Sequence, residues 1–94
     1  MNNENTEQYF KDDLIISYNK EEERLSIYNS ESDKLLILDG ALGLYFSVHD
    51  KNEPFTFYSV LTDLVELCPH IAVDDIKEQI DTLEDELVHN EFLR

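Results

Sequence analysis

The chain contains very few of the residues on which several common classes of protein depend. Its 94 residues include one cysteine, two glycines, two prolines and no tryptophan. The lone cysteine, Cys68, cannot form an internal disulfide, so a disulfide-stapled secreted scaffold is not expected. Two glycines are too few for the glycine-rich loops that cradle phosphates, and we predict no nucleotide site of that kind.

Basic residues are scarce as well. Seven Lys and Arg residues stand against 22 Asp and Glu residues, which gives a formal net charge of −15. Binding to DNA or RNA draws much of its affinity from Lys and Arg side chains that replace phosphate counterions, so direct nucleic-acid binding is not predicted. The acidic charge either keeps the protein soluble or attracts a basic surface on another protein.

The segment that follows Met1 has neither a basic start nor an apolar run. It therefore predicts no signal peptide and no membrane span, and we expect a soluble, cytoplasmic protein in which Cys68 is reduced. The length suits one domain. We predict a flexible N-terminal tail over residues 1–12, in which Tyr9 and Phe10 can pack back on the domain, and a single domain over residues 13–94.

No motif for catalysis or metal binding stands out. The three histidines, His49, His70 and His89, lie far apart, and the chain has no His-x-x-x-His or Cys-x-x-Cys spacing. The many carboxylates are typical of a solvated surface. We therefore expect a binding protein with no enzymatic activity of its own, no metal and no cofactor.

The first half of the chain has the period-two pattern of strands. Apolar residues alternate at Leu14, Ile16 and Tyr18, and again at Leu25 and Ile27. The polar segment NKEEE lies between the two runs, so they predict a β-hairpin. After the polar segment SESD, the apolar run from Lys34 to Leu38 predicts a third strand.

The second half has the pattern of helices. In TFYSVLTDLVELC the apolar residues share one helical face, with Thr56 as a candidate N-cap and Pro69 as a stop. In the last segment Asp74 or Asp75 can cap a helix. Its apolar residues recur at steps of three and four, at Val73, Ile76, Ile80, Leu83 and Leu87.

The segment LDGALGLYFSVHD, residues 38–50, allows two interpretations. Asp39-Gly40 is a good hairpin turn, which would give a four-stranded meander plus two helices. Alternatively Asp39 begins a helix, which would give an α+β fold with a three-stranded antiparallel sheet followed by three helices. Gly43 weakens either element. The residues alone leave both folds open, with a small preference for the helix.

Residues 38–93 also carry a series of short patterns. These are Leu38-Asp39, Tyr45-Phe46, Val48, Asp50, the segment TFYSVL, Asp75-Ile76, Leu83 and Glu91-Phe92-Leu93. In this order they resemble the winged-helix peptide-recognition domains typified by the pyrroloquinoline quinone biosynthesis chaperone, known as RiPP recognition elements. Three residues depart from that family's pattern: Ala41 replaces a threonine, and Lys51 and Glu91 each replace a glycine.

The resemblance implies a winged helix-turn-helix-like fold that captures a precursor (leader) peptide and presents it to a peptide-modifying enzyme. The peptide would add as a strand to the third strand and bury side chains against the third helix. The implied peptide-binding residues are Lys34, Leu35, Leu36, Ile37 and Leu38 on the strand, and Ile76, Gln79, Ile80 and Leu83 on the helix. The apolar residues among them could equally be plain core.

A second hypothesis follows from the charge. A small acidic protein can act as a nucleic-acid mimic or inhibitor that binds a basic DNA-handling protein, and such binding should be sensitive to salt. On the last predicted helix, six carboxylates could form a row of negative charges in place of the phosphates of a nucleic acid. They are Asp74, Asp75, Glu78, Asp81, Asp85 and Glu86, and we call them the acidic row. Under either hypothesis the protein is a monomer, or a homodimer in which third strands pair.

Overall fold

Three antiparallel strands come first in the chain and three helices follow, in a computed structural model that describes residues 6–94. The α+β arrangement with βββααα order is the predicted one, and the four-stranded alternative is wrong because residues 40–47 are helical. The elements are β1 (Ile15–Asn19), β2 (Arg24–Asn29), β3 (Lys34–Asp39), α1 (Gly40–Ser47), α2 (Phe57–Leu67) and α3 (Val73–His89).

The sheet has the order β1-β2-β3, which leaves β3 at an edge. Side chains alternate between its two faces. On the inner face Ile27 of β2 and Leu36 of β3 are directly paired and buried in the core. On the outer face Tyr28 is paired with Ile15 and with Leu35, and both of these apolar side chains are largely exposed.

The helix α1 begins at a glycine that turns the chain out of β3. Gly40 has a φ of +66°, in the left-handed region that favours glycine, and its N–H donates to the carbonyl oxygen of Glu23 at 3.0 Å. Asp39 occupies the N-cap position as predicted, but its side chain makes no capping hydrogen bond. It pairs instead with Arg24 across the sheet, at 2.8 Å.

The helix α2 begins and ends where the sequence predicts. Thr56 and Ser59 form a capping box, in which the Ser59 N–H donates to Thr56 Oγ1 at 2.9 Å. The helix ends at Leu67, just before Pro69. Its Phe57, Val60 and Leu64 side chains are buried.

In α3 four of the five residues of the predicted stripe are buried in the core, namely Ile76, Ile80, Leu83 and Leu87. The fifth, Val73 in the first turn, is 47% exposed, so the prediction for this residue is wrong. The predicted cap is wrong: Ala72 occupies the N-cap position, without a side-chain hydrogen bond. The two aspartates predicted to cap this helix, Asp74 and Asp75, lie inside its first turn. Their charges still suit the positive end of the helix dipole.

The chain before β1 packs on the domain. Phe10 is buried against Phe46 and Phe55, and the Gln8 N–H donates to the carbonyl oxygen of Phe55 at 2.6 Å. The Lys11 N–H donates to the carbonyl oxygen of Phe92 at 3.1 Å. The packed structure therefore begins by Gln8 rather than at residue 13, while residues 1–5 of the predicted tail lie outside the described residues.

Candidate functional site

A groove separates β3 from α3. The helix packs mainly against α2, so a space of about 630 Å³ remains between it and the edge strand. Its apolar lining comes from β3, α1, the α2–α3 connection and α3: Ile37, Leu38, Leu42, Ile71 and Leu83. A volume of this size lies within the range of ordinary ligand sites.

The backbone phase of β3 follows from the hydrogen bond between Gly40 and Glu23. Hydrogen-bonded pairs alternate with non-hydrogen-bonded pairs along an antiparallel ladder. That bond continues the β2–β3 register by one pair, so the even-numbered residues of β3 direct their N–H and C=O groups toward β2. The odd-numbered residues Leu35 and Ile37 direct theirs away from the sheet, toward the edge that no strand of residues 6–94 covers.

The structure brings four of the nine residues implied by the resemblance into the groove, namely Ile37, Leu38, Gln79 and Leu83. The other three strand residues, Lys34, Leu35 and Leu36, do not line the groove. Leu36 is buried beneath the sheet, whereas Lys34 and Leu35 are exposed.

The two remaining helix residues do not line the groove. Ile76 and Ile80 are 3% and 5% exposed and belong to the core. Ile80 also borders a smaller pocket of about 190 Å³ beside Phe57, on the α2 side of the helix. Their contribution to the site is therefore to hold α3 in place.

Of the polar residues that line the groove, only Gln79 was predicted from the sequence as part of the peptide site. The helix contributes Asp75, Glu78, Gln79, Thr82 and Glu86, each of which lies three or four positions from another of the set, so that together they form a stripe beside the core stripe. That second stripe is the signal that could have identified them. Asp39, Leu42 and Ile71 were also missed, because their proximity depends on how the elements pack.

The groove is strongly acidic. It is lined by four carboxylates and by no Lys or Arg. Asp39 is partly neutralised by Arg24, and the hydrogen bond and charge of Asp39 raise the pKa of that guanidinium. Within residues 6–94, none of the ion pairs includes the three carboxylates on the helix, Asp75, Glu78 and Glu86.

Elsewhere in residues 6–94, no group of three or more His, Cys, Asp or Glu side chains could hold a metal ion. None of the helices described has the length and apolar character needed to cross a membrane. Cys68 is buried and unpaired. The groove is therefore the feature on which a functional interpretation rests.

No family model matches the chain, and comparison with curated proteins and with solved structures found no match. The resemblance to RiPP recognition elements thus rests on the sequence patterns alone. The function has to be argued from the groove, the strand edge and their chemistry.

Proposed function

We propose that this protein is a non-catalytic binding protein that captures an extended segment of a precursor peptide at β3 and presents it to a modifying enzyme. The observation that carries the proposal is the open edge of β3 beside the groove. An added strand there would hydrogen-bond to the outward N–H and C=O groups of Leu35 and Ile37, while its alternate side chains enter the groove.

The edge lacks the usual protection against strand addition. Proteins commonly prevent a free edge strand from pairing with another chain by placing charged residues, proline or a β-bulge on it. In β3 a charged side chain stands only at each end, at Lys34 and Asp39, and the centre carries exposed Leu35 and Ile37. An exposed apolar edge of this kind favours pairing with an extended chain.

The resemblance supports the same site. It implies binding between the third strand and the third helix, which are the two walls of the groove. Gln79 is the most informative residue, because it is polar, lies on α3 and faces the groove rather than the core. The apolar floor would accept an apolar side chain of the peptide.

The proposal is tested with the variant Ile37→Pro and its control Ile37→Val. Proline removes an N–H that points to the free edge, whereas valine keeps both the N–H and the branched shape. We expect the wild type and Ile37→Val to retain a short precursor peptide and a modifying enzyme from native cell extract, identified by mass spectrometry. We expect Ile37→Pro, checked to be folded by circular dichroism, to retain neither.

Retention of the same peptide by a folded Ile37→Pro variant would rule out strand addition at β3. If the free wild-type protein is a dimer that the captured peptide converts to a monomer, and Ile37→Pro shows no such change, then the β3 edges pair with each other in the free protein. Affinity for that peptide is then measured by calorimetry, with and without the substitution.

The second hypothesis, inhibition of a basic DNA-handling protein, is favoured by a different observation. The six carboxylates assigned to the acidic row on α3 are all exposed. A partner bound through them should be lost at ~0.5 M salt, where charges are screened beyond a few Å. It should be retained by Ile37→Pro, which leaves the acidic row intact, so the two hypotheses predict opposite results for this variant.

A further inference from the structure

We propose that the peptide segment taken by the groove is basic, with Lys or Arg on both sides of an apolar residue at alternate positions. This inference rests on the proposed strand addition at β3 and names the class of peptide. It is carried by the combination of an apolar floor with acidic walls.

The floor and the walls differ in chemistry. Leu38, Leu42 and Leu83 form an apolar surface at the bottom of the groove. The helix wall carries Asp75 near its N-terminal end and Glu86 near its C-terminal end, with Glu78 between them. An apolar side chain therefore fits the centre, and positive charge fits the flanks.

The wall charges are available to a ligand. Asp75, Glu78 and Glu86 are exposed, and the ion pairs of residues 6–94 include none of them. Complementary charge across an interface speeds association and rejects partners of the wrong sign. Because the whole chain carries a formal charge of −15, an acidic peptide would be repelled both by the groove and by the protein around it.

The dimensions set the length of the segment. Asp75 and Glu86 are eleven residues apart, which corresponds to about 16 Å along a helix. The first and fifth residues of an extended five-residue segment lie about 13 Å apart at a rise of roughly 3.3 Å per residue, and the long, flexible side chains of Lys or Arg can span the remaining few Å. The six-residue β3 offers an edge long enough for this segment, and its last three residues, Ile37, Leu38 and Asp39, border the groove.

The alternation of an added strand sets the order of its side chains. Successive residues point to opposite faces, so only the first, third and fifth residues of a five-residue segment face the groove. The third meets the apolar floor, and the first and fifth lie beside the carboxylates. The expected pattern is basic, any, apolar, any, basic.

Two end-blocked peptides test this pattern, one with the core Lys-Thr-Leu-Thr-Lys and one with the core Glu-Thr-Leu-Thr-Glu. They have the same apolar anchor and the same length and differ in the sign of the flanking charges. We expect the lysine peptide to bind the wild type more tightly by about tenfold or more in low salt, measured by fluorescence anisotropy.

Matched double variants locate the charges responsible. Glu78→Gln/Glu86→Gln removes two carboxylates that line the groove, and Asp81→Asn/Asp85→Asn removes two exposed carboxylates of α3 that do not. We expect the first variant to abolish most of the preference for the lysine peptide. The second variant should keep it, since its groove is unchanged.

The outcomes separate this inference from the proposed function. Equal binding of both peptides, lost in Ile37→Pro, would overturn the basic preference and leave strand capture standing. A lysine preference that persists in Ile37→Pro, or that Asp81→Asn/Asp85→Asn removes instead, would overturn both, because the peptide would then bind the outer acidic surface. Failure of both peptides to bind up to about 1 mM would overturn the expected pattern of basic, apolar and basic residues and leave strand capture to the test with the precursor peptide and Ile37→Pro.

Discussion

Gly43 of α1 lies directly against the main-chain carbonyl of Leu38, so that a methyl group at its Cα would collide with the carbonyl oxygen. The two residues are only five positions apart, on either side of the turn from β3 into the helix. Their contact explains why a buried helix tolerates a glycine in its interior, where glycine costs about 1 kcal/mol relative to alanine.

Gly43→Ala should therefore destabilise the protein although alanine is the better helix former. The added methyl group meets main-chain atoms, which cannot rotate away, and we expect a loss of about 1–3 kcal/mol in the free energy of unfolding. Urea denaturation followed by circular dichroism measures it. Leu44→Ala, at an exposed position of the same helix, serves as the control, and an unchanged or raised stability of Gly43→Ala would contradict the close approach.

Glu91→Gly should stabilise the protein. Glu91 follows the C-cap of α3 with a φ of +62°, and the Phe92 N–H donates to the carbonyl oxygen of Leu87 at 3.0 Å, as in a Schellman motif. Glycine adopts this conformation without the penalty of about 1–2 kcal/mol that other residues face. We expect a gain of about 1 kcal/mol in the free energy of unfolding by urea denaturation.

Asn90→Gly is the control for that gain. Asn90 has a φ of −100°, which any residue adopts, so glycine there brings only its own flexibility. We expect this variant to be no more stable than the wild type. Equal stabilisation by both substitutions would show that the positive φ of Glu91 carries no penalty.

Tyr45 should make stability fall at high pH. Burial, followed by the hydrogen bond to and the charge of Asp63, raises the pKa of Tyr45 from 10.0 to about 12. The folded protein keeps this proton when the unfolded chain has lost it, so the stabilisation is complete below pH 10 and disappears as the pH rises toward 12. Tyr45→Phe should flatten this decline in urea denaturation curves.

Tyr28 must be considered in the same measurement. Its hydroxyl donates to Asp33 at 2.7 Å, and this hydrogen bond raises the pKa of Tyr28 as well. Part of the decline should therefore remain in Tyr45→Phe and disappear in the variant that also has Tyr28→Phe. The difference between the tyrosinate absorbance titrations of the wild type and Tyr45→Phe reports Tyr45 itself, and a midpoint of that difference at pH 10 would refute the raised pKa.

Proline should destabilise the protein to very different extents at two neighbouring positions of β3. Leu36 is buried and directs its N–H toward β2, so Leu36→Pro should cost about 3 kcal/mol or more of the free energy of unfolding. Ile37 directs its N–H to the free edge, so Ile37→Pro should cost about 1 kcal/mol. Equal losses in thermal denaturation would show that the hydrogen-bonding phase of β3 is the reverse of the one derived from Gly40.

Local patterns alone determined the secondary structure of most of this chain. The alternation in the first two strands, the Thr56 cap and Pro69 stop of α2, and the core stripe of α3 are all readable because each depends on neighbours within a few residues. The segment from Leu38 to Asp50 was ambiguous for the same reason. Its decisive contact is with the backbone of β3, which no periodicity reports.

Only the tertiary structure decided which face of α3 borders the groove. Ile76 and Ile80 share a helix with Asp75, Glu78 and Gln79, and the two stripes are adjacent around its axis. Periodicity shows that the stripes exist, but the rotation of the helix against α2 decides which of them meets the core and which meets β3. The acidic wall beside an open strand edge arises from that packing, since it joins residues about forty positions apart in the chain.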